Sequence, residues 1–425
     1  MSDNRVSRRS VLATGAAGIG ASLAGCSGGG GGSESDTIKI GVLEDQSGNF
    51  SLVGTPKWRA SKLAIEEINE NGGIMGNQIE LFDPDPQSDN QRYQQLTERL
   101  IQQENIDALW AGYSSATREA IRPIIDREDQ LYFYTTQYEG GVADKNVFCM
   151  GSTARQQLGS VVPYMIENFG DDIYTIAADY NFGQLSADWV KVIAQENGAS
   201  VNNEEFIPLS NQSFGSTISN IQEADPDFVM AILVGNNHSS FWNQRTSAGL
   251  EIPMGTSTVM AQSYQHKRLE APALADVYGG FNYMEEIPTD RNESYVNRYY
   301  DRFPDAGYAN QESVNNYFSI YMYKDAVEAA GTTDQQAVRE ELEGGMEVTG
   351  DQSPEGDISL QGPVHHMTHN MRVMKCDADH NITVEDERMI PEQFLSETVG
   401  IDLSGPDSEL EKQFTPADYY DVAGE

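Results

Sequence analysis

The sequence is poor in basic residues, above all in lysine. Its 425 residues contain 66 Asp and Glu but only 27 Lys and Arg, which gives a formal net charge of −39. This balance argues against nucleic-acid binding, which needs a basic face, and against an electrostatic hold on anionic lipid. The acidic residues are dispersed and form no long run, so they favour a solvated surface adapted to strong salt over a docking patch for a cationic partner.

Cysteine is also scarce, and no two cysteines are spaced as C-x-x-C. This excludes a zinc knuckle and a thioredoxin-type redox site. Cys149 and Cys376 could pair outside the cell, but we predict two buried thiols, since free cysteine packs as a small apolar residue. The aromatic residues, with 20 Tyr and 15 Phe, predict a folded chain with an acidic surface.

Several catalytic motifs are missing. The sequence contains no G-x-x-x-x-G-K-[ST] loop, no G-x-S-x-G elbow after a strand and no H-E-x-x-H pair, so we predict neither an enzyme nor a bound cofactor. Four of the six histidines lie close together, at His365, His366, His369 and His380. A metal-dependent extracellular hydrolase built on them is the alternative from another class. Adjacent histidines on a strand point to opposite faces, which favours a polar loop entering a terminal hairpin.

The first residues resemble an export signal. Ser7-Arg8-Arg9 precedes an uncharged stretch over residues 11–23, which is too short to span a membrane and resembles a twin-arginine signal. We therefore predict a signal over residues 1–25. Cys26 ends a lipobox-like sequence and is the predicted lipidation site, with a Gly/Ser tether over residues 26–36.

The rest of the chain alternates between strand and helix patterns. Buried strands are predicted at 37–43, 79–82, 107–112, 131–134, 173–178, 201–208, 228–234 and 277–283, with helices of 10–15 residues between most of them. This alternation predicts an α/β fold with two doubly wound, parallel-sheet lobes. The predicted segments are lobe 1 over 37–149 and 284–352, lobe 2 over 150–283 and 353–395, and an acidic tail over 396–425. Residues 358–360 and 371–376 are predicted to form a hairpin-like pair.

Three groups of residues resemble a known family. The chain carries Ile40-Gly-Val-Leu43, then Ala64-Ile-Glu-Glu-Ile-Asn-Glu-Asn-Gly-Gly-Ile74, then Asp83-Pro84-Asp85. From Ile38 to about Thr383 it resembles the type I periplasmic solute-binding proteins of ABC transporters. The segments Gly112–Arg118 and Phe133–Gly140, with its Tyr138-Glu139-Gly140 ending, resemble the branch that binds urea and short amides, although Gln137 stands where amide-binding relatives carry Pro.

The resemblance implies a ligand site in the cleft, at the carboxyl ends of the strands. The predicted ligand-binding residues are Tyr113, Ser115, Tyr134, Thr136, Tyr180 and Gly235, with Gln137, Glu139 and Thr256 as further candidates. Hydroxyl groups can donate to and accept from an amide, and tyrosine rings supply flat walls without imposing a charge.

The implied function is to bind a solute without transforming it. We expect an exported, lipid-anchored receptor on the outer face of the cell membrane that closes on urea, a short-chain amide or a related small polar solute and docks on an ABC permease. Hinges are expected near residues 149–152, 281–285 and 350–356. An amino acid receptor of the same fold and a sensor that signals to a partner remain alternatives.

Overall fold

Strands and helices alternate through the computed structural model, which describes residues 37–234, 237–405 and 411–422. The strands are β1 (Ile38–Leu43), β2 (Ile79–Phe82), β3 (Ala108–Ala111), β4 (Tyr132–Tyr134), β5 (Val142–Asp144), β6 (Val147–Cys149), β7 (Asp172–Ala178), β8 (Ser200–Ile207), β9 (Phe228–Ile232), β10 (Met254–Thr256), β11 (Val277–Phe281), β12 (Met346–Val348), β13 (Ile358–Gln361), β14 (His366–Cys376), β15 (Ile382–Ile390) and β16 (Glu411–Gln413). The helices are α1 (Ser51–Glu70), α2 (Asn90–Arg99), α3 (Ser115–Glu128), α4 (Ala154–Phe169), α5 (Asn181–Glu196), α6 (Gly215–Ala224), α7 (Asn237–Ser247), α8 (Gln265–Arg268), α9 (Asp290–Arg302), α10 (Gln311–Ala330) and α11 (Gln335–Glu343).

Two parallel halves meet in one continuous sheet. Its order is β2-β1-β3-β4-β6-β14-β11-β10-β9-β7-β8, and neighbours within each half are parallel. We call β2-β1-β3-β4-β6 the first half and β11-β10-β9-β7-β8 the second half. The prediction of an α/β fold with mostly parallel strands is confirmed.

Strand β14 connects the two halves. Its first residue, His366, pairs with Cys149 of β6, whereas its last five residues pair antiparallel with β11. The prediction of a hairpin between 358–360 and 371–376 was wrong in its register, because β13 pairs with residues 366–368 and the rest of β14 pairs with β15. One crossing of the chain between the halves therefore lies inside β14, rather than near 350–356.

A buried polar cluster holds these crossings together. Ser152 Oγ donates to Asn282 Oδ1 at 3.4 Å, and Asn282 Nδ2 donates to Glu355 Oε2 at 2.6 Å. His369 Nδ1, on β14, lies 3.0 Å from Glu355 Oε1. All four side chains are buried, so the segments that connect the halves are joined by hydrogen bonds rather than by apolar contacts alone.

Helices cover both faces of the sheet. Helix α10 packs along α1, and α4 packs on β10, β11 and β14. Helix α1 begins at Ser51 and contains Pro56 five residues after its start. The early turn is held by tertiary packing, since a Cβ on Gly54 would lie 2.4 Å from the Asp45 carbonyl oxygen.

The C-terminal segment packs on the body. Leu403 and Phe414 are buried, and β16 pairs antiparallel with β5. Cys149 and Cys376 are buried free thiols, which confirms that prediction. Among the described helices, none combines the length and the apolar character needed to cross a membrane. Cys26 and the predicted signal and tether lie outside the described residues.

Candidate ligand-binding site

A small cavity lies between the halves, where β3, β4, β7 and β9 end. We call it the inner cavity. Its walls combine first-half and second-half residues, which are Tyr113, Ser114, Ser115, Tyr134, Thr136, Gln137, Tyr180, Phe182, Val234 and Gln262. None of these residues carries a formal charge. Its volume is about 20 Å³, which is room for one or two water molecules.

Most of the predicted site residues meet at this cavity. Tyr113, Ser115, Tyr134, Thr136 and Tyr180 line it, as does Gln137. Gly235 lies outside the described residues. Thr256 is buried and its Oγ1 accepts a hydrogen bond from the Thr258 backbone N–H at 3.2 Å. Thr256 is not among the residues that line the cavity.

The loop after β3 places Ser115. Gly112 has φ +87°, a left-handed conformation that glycine adopts readily. The chain then enters α3, with Ser114 as its N-cap accepting from the Thr117 N–H at 3.1 Å. Ser115 follows as the first helical residue, and its Oγ donates to Glu139 Oε2 at 2.6 Å.

Glu139 acts as a buried support rather than as a wall of the cavity. Its carboxylate pairs with Arg118 at 3.3 Å, and both side chains are fully buried. Asn181 and Gln413 also donate to Glu139 Oε1, at 3.1 and 2.7 Å. The carboxylate is thus neutralised by Arg118 and accepts four hydrogen bonds, so it is not a free counter-charge for a ligand ammonium. It holds the Ser115 hydroxyl in place instead.

Arg118 is enclosed by aromatic rings. Its guanidinium lies 4.9 Å from the ring centroid of Tyr134 and 4.8 Å from that of Tyr138, which are cation–π distances. Burial tends to lower the pKa of Arg118, but Glu139 together with Tyr134, Glu119 and Tyr138 outweighs burial, and the pKa stands well above its usual value. Arg118 therefore stays positively charged, and its ion pair with Glu139 lies behind the wall of the cavity.

Thr136 is fixed by a second buried ion pair. Its Oγ1 accepts from Lys57 Nζ at 3.0 Å and donates to the Gly112 carbonyl at 3.2 Å. Lys57 Nζ also lies 2.8 Å from Glu44 Oε2, with both side chains fully buried. Burial raises the pKa of Glu44 to about 7, against the opposing effect of Lys57. The sequence signal for this pair is a lysine on the apolar stripe of α1.

The three tyrosines differ in what they offer a ligand. The Tyr134 hydroxyl donates to the Tyr113 carbonyl at 2.9 Å, so the ring rather than the hydroxyl is available to contact a ligand. Tyr113 stacks on Phe50 with ring centroids 4.6 Å apart. Tyr180 approaches from the second half at the N-cap of α5 and is half-buried. Burial raises the pKa of Tyr113 and of Tyr180, so both phenols are neutral hydrogen-bonding groups.

Three amide side chains that the sequence pattern did not indicate also belong to this region, namely Gln157, Gln262 and Gln311. Gln137 Oε1 accepts from Gln157 Nε2 at 2.8 Å and also from Gln311 Nε2. Among the described residues, Gln137 Nε2 has no hydrogen-bond partner although it is buried. Gln262 Nε2 donates to Glu312 Oε1 at 3.2 Å, while the other oxygen of Glu312 is buried without a partner in that same part of the chain. Unpaired buried donors and acceptors are what a small amide would satisfy.

A larger cavity adjoins the inner one. We call it the outer cavity, and its volume is about 440 Å³. Five residues line both cavities, which are Tyr113, Ser114, Tyr180, Val234 and Gln262. The other walls of the outer cavity are Asn49, Phe50, Leu52, Val53, Leu209, Ser263, Gln265 and Arg268. The inner cavity is thus the end of a wider space.

The four clustered histidines do not form a metal centre. His366 hydrogen-bonds to Tyr138 and His369 to Glu355. The His365 ring stacks on Phe148, with ring centroids 3.9 Å apart. His380 Nδ1 lies 3.0 Å from the His266 carbonyl, far from them along the sheet. Over residues 37–234, 237–405 and 411–422, no group of three His, Cys, Asp or Glu side chains is placed to hold a metal ion. The hydrolase alternative has no site in this part of the chain.

Two parallel-sheet halves with a polar cavity between their strand ends define a solute-binding protein. The family model described as "Periplasmic binding protein" matches residues 37–381, and the chain belongs to this family. Its members are extracytoplasmic solute-binding proteins and are not enzymes.

The curated relatives are named as homologues of a Leu/Ile/Val-binding protein. The chain is 25% identical over 224 residues to Leu/Ile/Val-binding protein homolog 7 of Brucella abortus, covering 50% of this chain and 56% of the relative. Homolog 8 of the same organism is 27% identical over 228 residues, covering 50% and 55%. The match thus spans just over half the length of these relatives.

Solved structures share the fold over most of both chains. The amino acid ABC transporter substrate-binding protein of Pseudomonas fluorescens superposes with a TM-score of 0.76 at 18% identity, covering 87% of this chain and 99% of its own. The solute binding protein of Rhodopseudomonas palustris in complex with 3,4-dihydroxy benzoic acid has a TM-score of 0.71 at 18% identity, covering 83% and 97%. At such identities the likeness shows the fold alone.

Proposed function

We propose that this chain is the substrate-binding lipoprotein of an ABC importer, capturing urea, a short-chain amide or a related small polar solute between its two halves. The observation that carries the proposal is the inner cavity, where residues from both halves meet and none is formally charged. A neutral polar solute needs no counter-ion there, and a charged one would lose hydration without compensation.

The hydrogen-bonding groups suit an amide. An amide or urea presents one carbonyl acceptor and NH₂ donors. The unpaired Gln137 Nε2 supplies a donor, and the unpaired Glu312 Oε2 supplies an acceptor near the same cluster. Ser115 adds a hydroxyl oxygen that Glu139 holds in place, and the Tyr113 and Tyr180 rings provide walls that exclude water.

Loading requires the halves to part. A cavity of about 20 Å³ does not admit a solute of four heavy atoms, so the halves part for ligand to enter and then close around it, leaving a larger cavity than this one. The crossings near Ser152 and Asn282 and within β14 are the hinge positions in this proposal. The closed form then docks on the membrane permease, with Cys26 and the Gly/Ser tether holding the protein at the outer face of the membrane.

An amino acid is the second candidate, and one observation favours it. The buried Glu312 oxygen without a partner is a group that a ligand ammonium would satisfy. The relatives' names point the same way, since they are described as Leu/Ile/Val-binding protein homologues.

A thermal-shift screen in molar salt tests the two candidates. The ligands are urea, acetamide, formamide, leucine and glutamate. A ligand at 100 times its dissociation constant adds about 2.7 kcal/mol of stability. We expect the amides to raise the melting temperature and the amino acids to leave it unchanged. If an amino acid raises it and no amide does, the amide assignment fails.

Ser115→Ala tests whether the site is the inner cavity. Loss of the hydroxyl should weaken amide binding by about 1–3 kcal/mol, because a buried polar partner is removed. Ser186→Ala is the matched control, since Ser186 is buried on α5 away from the cavity and its hydroxyl has no hydrogen-bond partner among the described residues. Calorimetry that gives equal affinities for Ser115→Ala and the parent protein would remove Ser115 from the site.

A further inference from the structure

The outer cavity has apolar walls and one charge. Phe50, Leu52, Val53, Leu209 and Val234 line it, and Leu209 is 47% exposed at its mouth. Of the described residues that line it, Arg268 alone carries a formal charge. Its volume of about 440 Å³ is within the range of sites for small organic ligands. Urea in the inner cavity would leave this space filled only with water.

Arg268 forms no ion pair with a described carboxylate. Among the residues that the structure describes, no carboxylate lies within salt-bridge distance of its guanidinium, which instead lies 5.7 Å from the ring centroid of Tyr264. Its neighbour Lys267, in contrast, lies 2.7 Å from Glu286. In a chain with 66 acidic and 27 basic residues, a basic side chain can pair with a carboxylate at little cost. The one at this cavity does not, and it faces a space with no negative charge among the described residues.

We propose that the outer cavity is a second subsite, which binds the apolar or aromatic body of a solute whose carboxylate pairs with Arg268. The proposal rests on the function proposed above and defines its substrate class. The neutral polar group of the solute lies in the inner cavity, its body packs against Phe50 and Leu209, and its anionic end lies at Arg268. The Tyr113–Phe50 stack extends the aromatic surface from one cavity into the other.

Three probes that differ by one group each test this arrangement by calorimetry. Acetamide carries the amide alone, benzamide adds the ring, and 4-carbamoylbenzoate adds the carboxylate opposite the amide. We expect affinity to rise at both steps, with the carboxylate adding about tenfold, as a charge-assisted contact does. Arg268→Gln should remove the second gain and leave benzamide binding unchanged, while Arg268→Lys should restore part of it.

Lys267→Gln is the matched control. It removes the same charge at the adjacent position, so it reports any effect of net charge alone. We expect it to leave the carboxylate gain intact. In the parent protein the carboxylate gain should also shrink as salt is raised over the range in which the protein stays folded, because the mouth of the cavity is open to solvent.

The outcomes separate this inference from the proposed function. If 4-carbamoylbenzoate binds no tighter than benzamide, or if Arg268→Gln and Lys267→Gln act alike, the Arg268 subsite is wrong. Loss of amide affinity in Ser115→Ala would still support the inner cavity in that case. If Arg268→Gln removes the carboxylate gain but Ser115→Ala changes nothing, the subsite stands and the amide assignment fails. If no probe binds, both fail.

Discussion

At the scale of single residues, the sequence predicted which site residues follow the ends of strands. It did not predict which distant side chains contact them. Tyr113, Ser115, Tyr134, Thr136 and Tyr180 follow strand ends, where ligand sites of parallel sheets lie. Their meeting at one cavity follows from that rule, while their contact with a ligand stays a prediction. Other partners lie on helices remote in sequence, namely Lys57, Gln157, Gln311 and Glu312. No local pattern connects those residues to the cavity.

The two carboxylates bound to Arg118 give a direct comparison of a buried and an exposed ion pair. Glu139→Gln leaves a buried guanidinium without its buried counter-charge, and we expect it to lower the free energy of unfolding by about 3–5 kcal/mol. Glu119→Gln removes the other partner, whose side chain is 41% exposed, and we expect a loss below about 1 kcal/mol.

Guanidinium unfolding measures both variants, since urea is itself a candidate ligand. Equal losses would mean that burial does not set the strength of the Arg118–Glu139 pair. Glu139→Gln should also weaken amide binding, because the Ser115 hydroxyl loses its charged acceptor.

At the scale of elements, most strands of the parallel sheet were predicted closely, whereas two strands of the C-terminal part were predicted only in part or missed. Strand β2 was predicted with its observed bounds, and β1, β4 and β7 within one residue. The first half of β14 reads as a polar loop because of its histidines. It is a buried strand in which Tyr138 hydrogen-bonds to His366 Nε2 and Glu355 to His369 Nδ1. Strand β15 was missed because it has an exposed, charged face that does not mark it as part of a core.

His366, at the start of β14, should make the fold sensitive to acid. Burial lowers its pKa from 6.5 to about 4. The unfolded chain therefore binds a proton that the native fold rejects, and stability falls as pH decreases from about 6.5 to about 4. The loss amounts to about 3 kcal/mol at the end of that window.

The pH profile of the parent protein alone does not isolate the effect of His366, because burial raises the pKa values of Glu285 and Glu392 to about 7. These acids stabilise the fold as pH falls and so act in the opposite direction. The difference in unfolding free energy between the parent protein and His366→Gln should shrink as pH falls through the window. A difference that is constant with pH would show that His366 does not titrate there.

At the scale of the whole molecule, the negative charge has no place in the inner cavity. The described residues that line the inner or the outer cavity include no carboxylate, so the excess acid lies elsewhere, apart from the buried Glu139 and Glu312 that hydrogen-bond to lining residues. The composition predicted this separation only in part. It indicated a solvated acidic surface, whereas the acids buried in ion pairs, such as Glu44 and Glu139, could be identified only from the fold.

We expect the protein to need salt for stability. A net charge of −39 repels itself over about 10 Å at 0.1 M salt but over only about 3 Å at 1 M. The melting temperature should therefore rise steeply with NaCl up to about 1 M and level off beyond it. The rise should be smaller at about pH 5 than at about pH 7.5, because carboxylates begin to protonate towards the isoelectric point of about 4.3. Equal rises at the two pH values would assign the effect to salting-out of apolar surface.

The hydrogen-bonding cluster around Glu139 also provides a spectroscopic reporter. Besides its carboxylate contacts, the Glu139 carbonyl accepts the indole N–H of Trp189 on α5 at 3.1 Å. Helix α5 packs on β7 and β8 of the second half, and Glu139 follows β4 of the first. With only four tryptophans in the chain, an ¹⁵N-labelled sample gives at most four indole signals. One of these signals arises from the proton that Trp189 of the second half donates to Glu139 of the first, so we expect its chemical shift to change when the cleft opens or closes, without any added label.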